Sequence, residues 1–157
     1  MKIYLAGPLF SEGERNWMQK LKKEIESLAA SRGYQVNVIW PYELITQPEI
    51  ESLGNRAKLE IFTRCKSHLD SADMVIAVLD GPQVDDGTAW EIGYFYGTKS
   101  PEQKIIGVRT DFRRAGESEG AVVNAMIECS CDLVVRTREE LLEEISSIFA
   151  GICSSLG

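Results

Sequence analysis

The sequence predicts an α/β domain of about five parallel strands with helices on both faces. Three observations carry that expectation. Short apolar runs alternate with helix-period segments along the whole of the 157 residues. The run at 74–79, Met-Val-Ile-Ala-Val-Leu, is apolar at every position, as in a strand covered on both sides. It leads into an acidic turn, Asp80-Gly81-Pro82-Gln83-Val84-Asp85-Asp86, which opens into a helix-like segment. That turn therefore lies at a strand's carboxyl end, the edge where such sheets bind ligands.

The elements follow in order. Residues 2–6 form an apolar run stopped by Gly7-Pro8 and read as the first strand. Residues 11–32 carry Trp17, Met18, Leu21, Ile25 and Leu28 at helical spacing, with Ser11 suited to cap the start and Gly33 the end. Residues 34–40 alternate and are rich in valine and isoleucine, giving a second strand that Pro41 stops. Residues 41–55 lack a period and contain Pro48 and Gly54, so a mobile loop with one helical turn is expected. Helix returns at 56–71, strand at 72–79, helix at 88–97 and strand at 104–109. A polar rim loop at 110–120, a short helix at 121–129 and a short fifth strand at 133–135 come next. Residues 137–152 close the chain with Leu141, Leu142, Ile145, Ile148, Phe149 and Ile152 on one helical face. Alternating strands and helices imply a parallel sheet, here a flavodoxin-like or Rossmann-like single domain spanning 1–157.

Composition narrows the function classes. The net charge of −7 argues against binding a nucleic acid polymer, which needs a basic face. No apolar run reaches the ~20 residues that span a bilayer, and no leader precedes Met1-Lys2-Ile3, so a cytoplasmic protein with reduced thiols is expected. Cys129-Ser130-Cys131 is too close for the usual zinc spacing and His68 is the only histidine, so no metal is expected. The nucleotide-cradling motifs GxGxxG and GxxxxGK[ST] are absent.

Candidate chemistry gathers at the predicted strand ends. Thr88-Ala89-Trp90-Glu91 matches a capping box, in which Glu91 does no more than satisfy a backbone N–H. In context, Asp85, Asp86 and Glu91 crowd three carboxylates into seven residues, which shifts pKa values apart as acid/base or nucleophilic work requires. A glutamate in a helix's first turn is also favoured as the anion. Gly7 would let backbone approach a ligand, and Phe10 could stack on a ring. Tyr4 reads either as a core aromatic or as a phenol bonded to a carboxylate. Asp73 opens its strand at the wrong end for chemistry; Asp80 lies at the correct end. Arg109, Arg113 and Arg114 are either a solvated loop or a clamp for phosphate or carboxylate. Cys65 and His68, three apart on a helix, lack an oriented third partner.

Taken together, Lys2-Ile3-Tyr4-Leu5-Ala6-Gly7-Pro8-Leu9-Phe10, Ala72-Asp73-Met74-Val75-Ile76-Ala77 and Asp85-Asp86-Gly87-Thr88-Ala89-Trp90-Glu91-Ile92-Gly93 resemble the nucleoside 2-deoxyribosyltransferase family. The resemblance runs on through Asn124 and the closing helix. It implies a flavodoxin-like homo-oligomer without cofactor, working in nucleoside salvage on a deoxynucleoside and a free nucleobase. Glu91 would be the nucleophile, Tyr4 its orienting partner and Asp85 the holder of the sugar hydroxyls. Phe10 would pack on the base, with Gly7, Pro8, Asp80 and Gly87 around the substrate. Asn124 would reach the sugar 5′-hydroxyl in a neighbouring subunit's site. One position departs: where the family commonly has an aspartate that protonates the leaving base, this chain has Cys65. Asp80, Asp85 or solvent would then supply the proton. A related hydrolase of deoxynucleoside 5′-monophosphates has a serine in place of Asn124, and an asparagine suits a neutral 5′-hydroxyl better than a dianion; Arg113 and Arg114 point the other way. Three readings stay open: transferase, N-glycoside hydrolase, and a non-catalytic nucleoside- or nucleotide-binding domain in which Glu91 only caps its helix.

Overall fold

The computed structural model describes residues 1–154, with side chains through residue 151. Five parallel strands, β1 (Lys2–Ala6), β2 (Asn37–Ile39), β3 (Met74–Val78), β4 (Lys104–Val108) and β5 (Leu133–Val135), form one sheet in the order β2-β1-β3-β4-β5. The helices are α1 (Glu12–Ser31), α2 (Gln47–Leu53), α3 (Ala57–Asp70), α4 (Asp86–Thr98), α5 (Ala125–Glu128) and α6 (Arg138–Ser154). From β1 the chain moves first to one neighbour, β2, and then to the other, β3. The crevice between the ends of β1 and β3 is therefore the topological switch point.

Alternation along β1 divides the core in two. Ile3 and Leu5 face one side, with Met18, Leu21 and Ile25 of α1 and Leu141, Ile145 and Phe149 of α6. Tyr4 and Ala6 face the other, with Leu69 of α3 and Ile92 and Phe95 of α4. This period of two sends the Tyr4 side chain toward α3 and α4. The side chain of Ile152, expected on the α6 core face, lies outside the described residues.

Three expectations shift. The second strand is shorter than 34–40, because Tyr34 leaves the sheet to stack on Phe149 at 4.8 Å. The stretch 41–55 is more ordered than a mobile loop: it holds α2 between two 3-10 turns, with Thr46 and Glu49 forming a capping box and Pro48 in the first turn. The short helix near 121–129 contracts to α5, capped by Asn124, whose Oδ1 accepts from the Met126 N–H at 3.0 Å. Among the described residues, no helix is long and apolar enough to cross a membrane.

Candidate active site

The helix that carries Glu91 starts earlier than its sequence suggested. Asp85, not Thr88, is the N-cap of α4: its Oδ2 accepts from both the N–H and the Oγ1 of Thr88 at 3.0 Å. The Thr88–Glu91 capping box therefore does not form, and the reading of Glu91 as a cap falls. Glu91 stands in the second turn, past the reach of the helix end.

Its partner is Tyr4. The buried phenol donates to Glu91 Oε1 at 2.5 Å, across from β1 to α4. Cys65 on α3 also lies within interaction distance of the Tyr4 hydroxyl and of Glu91. Electrostatics separates these groups. Burial pushes Glu91 up to about 7, the Asp85 charge adds to that, and the Tyr4 hydrogen bond pulls it back. Burial, then the Glu91 charge, drives the Tyr4 phenol above its ordinary value. Burial and the same charge raise the Cys65 thiol. The expected preference for the anion thus gives way to desolvation.

These groups line a cavity of about 780 Å³ at the switch point. Asp85, Gly87, Thr88, Glu91 and Cys65 form the polar side. Leu9, Phe10, Pro41, Ile45, Ile50 and Ile61 form an apolar wall. Tyr42, Glu43, Thr46 and Gln47, from the segment expected to be a mobile loop, contribute the roof. Sequence reasoning missed these four, and with them Pro41, Ile45 and Ile50 of the same segment; the Thr46-Gln47-Pro48-Glu49 helix start was the available signal.

The Phe10 loop is held rigidly. Ser11 and Glu14 form a capping box at the start of α1, and Glu14 Oε2 also accepts from the Phe10 N–H at 3.0 Å. Arg15 Nη1 donates to the Leu9 carbonyl at 3.2 Å and to that of Phe10 at 2.5 Å. Phe10 itself is 73% exposed, a ring presented at the cavity rim. Gly7 lines the cavity, but its lack of a side chain serves packing: a Cβ there would stand 2.7 Å from Met18 Cε and 3.1 Å from Val78 Cβ. At Gly87 a Cβ would meet Asp85 Oδ2 at 3.3 Å.

Three expected site residues lie elsewhere. Pro8 is not part of the cavity wall. Asp80 is turned away from it, its carboxylate accepting from Thr110 Oγ1 at 2.6 Å and the Asp111 N–H at 2.8 Å. The β3 and β4 ends are neighbours, so an acid after one finds donors after the other. Asp80 thus faces the loop after β4 and not the cavity. Asn124 borders a separate cavity of about 240 Å³ with Gln83, Ala89 and Arg109, and its Nδ2 donates to Glu117 Oε1. Two of the three arginines of the expected clamp are already engaged: Arg109 is buried on backbone carbonyls and Arg113 is paired with Asp111, while Arg114 is exposed. Asp73 is structural, accepting from the Lys2 N–H at 2.7 Å. Among the described residues, no group of three or more His, Cys, Asp or Glu is arranged to hold a metal ion.

A family model described as nucleoside 2-deoxyribosyltransferase matches residues 3–126. An uncharacterized protein, UU063, of Ureaplasma parvum serovar 3 is 30% identical over 118 residues, covering 72% of each chain. A conserved protein of Enterococcus faecalis V583 superposes with a TM-score of 0.72 at 25% identity, covering 93% of this chain and 97% of the other. A 2-deoxyribosyltransferase of Bacillus psychrosaccharolyticus superposes with a TM-score of 0.70 at 24% identity over 90% of each chain, a likeness of fold. The family points to an enzyme that transfers or hydrolyses a glycosyl group. The matched span holds both Tyr4 and Glu91 and ends in α5, and the chain belongs to the nucleoside 2-deoxyribosyltransferase family.

Proposed function

We propose that this protein exchanges the bases of 2′-deoxynucleosides by double displacement through Glu91. The observation that carries the reading is the desolvated glutamate, gripped by the Tyr4 hydroxyl at 2.5 Å, on the polar side of a cavity whose other wall is apolar. The base stacks against the Phe10 and Ile50 side; the sugar meets Asp85 and Glu91. The Glu91 carboxylate attacks the anomeric carbon, forming a glycosyl ester as the C–N bond breaks and the base departs with the electron pair. Asp85 Oδ1, which no described donor engages, accepts from a sugar hydroxyl. Water supplies the proton to the leaving base, since the Cys65 thiol is too weak an acid. A nitrogen of the incoming base attacks the same carbon and gives up its proton to the hydroxide left by the first step, restoring the water; Glu91 leaves as the carboxylate, and the two inversions give retention. Tyr4 stabilises Glu91 as the anion at the beginning and end of the cycle.

The same reading makes the enzyme a homo-oligomer. Asn124 does not line its own chain's cavity but stands on an exposed helix start, where it is free to serve a neighbour once Glu117 lets go. Exposed apolar side chains support such an interface: Phe62 and Trp90, both exposed, meet at 5.5 Å, Trp90 stacks on the half-buried Tyr94 at 5.1 Å, and Met126 is 77% exposed.

The test is incubation with a deoxynucleoside, with and without a second free base. A new nucleoside that requires the second base is the expected product. Free deoxyribose without exchange would make the protein a hydrolase, and no reaction would leave a binding domain. Glu91→Ala should cost about 10³-fold or more in rate.

A further inference from the structure

The proposed site draws on two loops, 79–85 between β3 and α4, and 109–124 between β4 and α5. One buried cation joins them. Arg109, directly after β4, is 0% exposed. Its Nη1 donates to the Leu79 carbonyl, and its Nη2 donates to the carbonyls of Gly81 at 3.1 Å and Arg113 at 3.3 Å. Leu79 and Gly81 flank Asp80, whose carboxylate reaches back to Thr110 Oγ1 and the Asp111 N–H. Each loop thus grips the other, cation to carbonyls one way and carboxylate to donors the other. The turn requires glycine where it is gripped: Gly81 has φ +117, a conformation that L side chains rarely adopt.

Stability alone is a poor reason for this cation. The nearest carboxylate, Asp111, stands 3.9 Å away and is already engaged by Arg113. Burying a charge with no close, free carboxylate beside it costs desolvation free energy that an apolar side chain would not. A planar guanidinium does what an apolar side chain cannot: it holds three carbonyls from two loops at fixed spacing. The first loop ends in Asp85, the α4 cap on the cavity wall. The second ends in Asn124.

We propose that Arg109 is a positioning residue that, with Asp80, locks the two loops into one unit. A single frame then sets both Asp85 in its own cavity and Asn124 at the chain's outer face. The locking stands on the geometry alone; its catalytic consequence rests on the proposed function.

Amide hydrogen exchange on the full chain, in wild type, Arg109→Met, Arg109→Lys and Asp80→Asn, tests the lock. Exchange should rise about tenfold or more in both loops together, while β1 and α1 keep their protection. A rise in one loop only, a uniform rise along the chain, or no change would overturn it. Steady-state kinetics tests the consequence. Asp80→Asn should raise KM for the deoxynucleoside about tenfold with kcat nearly unchanged and the same pH midpoint. Arg109→Lys, which keeps the charge without the fork, should behave like Arg109→Met. An unchanged KM, or rescue by lysine, would refute the positioning role. If Arg109 variants do not fold, Asp80→Asn and Thr110→Val carry both measurements. A wild type without exchange activity would sink the proposed function, and hydrogen exchange would still decide the lock.

Discussion

Replacing Glu91 by Gln should stabilise the protein while abolishing its chemistry, and the gain should grow with pH. Burial moves the Glu91 carboxyl from 4.5 to about 7. A raised folded-state value means the folded protein binds this proton more tightly than the unfolded chain does. The resulting stabilisation is complete below pH 4.5 and is lost as pH rises through 7. The shift corresponds to about 3 kcal/mol at ~1.4 kcal/mol per unit, of which about 2.5 kcal/mol falls between pH 5 and pH 8.5. Gln keeps the shape and accepts the Tyr4 hydroxyl, but it cannot ionise. Urea unfolding at fixed protein concentration, at pH 5 and pH 8.5, measures the difference. Glu91→Gln should outlast the wild type by about 2.5 kcal/mol more at the higher pH. An equal difference at both pH values would refute the desolvated glutamate, whatever the activity data say.

Other consequences follow from the same contacts. The Tyr4 hydroxyl pulls the Glu91 value down, so Tyr4→Phe should move the acid limb of the kcat/KM profile upward from its wild-type midpoint near pH 7; an unmoved midpoint would separate the phenol from the carboxylate. Cys65→Asp should restore an acid beside the leaving base and speed turnover of poorly leaving bases by roughly tenfold or more, measured against a base that leaves readily; equal acceleration of both would deny it the role. Gly7→Ala would drive a Cβ to 2.7 Å from Met18 Cε and should cost about 1–3 kcal/mol of stability by urea unfolding; adding Met18→Ala should recover part of it.

Much of this architecture was legible because its cause is local. Met74–Val78 is apolar throughout since β3 is buried on both faces, and α1 announces its inner face by the spacing of Met18, Leu21 and Ile25. The site was legible in part. Alternation along β1 put Tyr4 on one face, but only the order β2-β1-β3 brings that face to Glu91. Two caps competed at the start of α4, and Asp85 won because it sits upstream and holds Thr88 twice. Asp80 looked like a ligand because it lies at the correct strand end; that β4 is the neighbour, bringing Thr110 and Asp111 within reach, was not written in any local pattern. The cavity roof around Gln47 was hidden for a similar reason. Its helix is short and polar, and what it covers depends on the sheet beneath.

The central claim is a covalent deoxyribosyl ester on Glu91, and intact-protein mass spectrometry tests it most directly. Acid quenching of the enzyme with a deoxynucleoside and no acceptor base should give a species heavier by one deoxyribosyl group. Peptide mapping should locate it on Glu91. Addition of a free base before quenching should discharge it, and Glu91→Gln should never form it. An adduct on another residue, an adduct in Glu91→Gln, or base exchange with no adduct at any quench time would contradict the account.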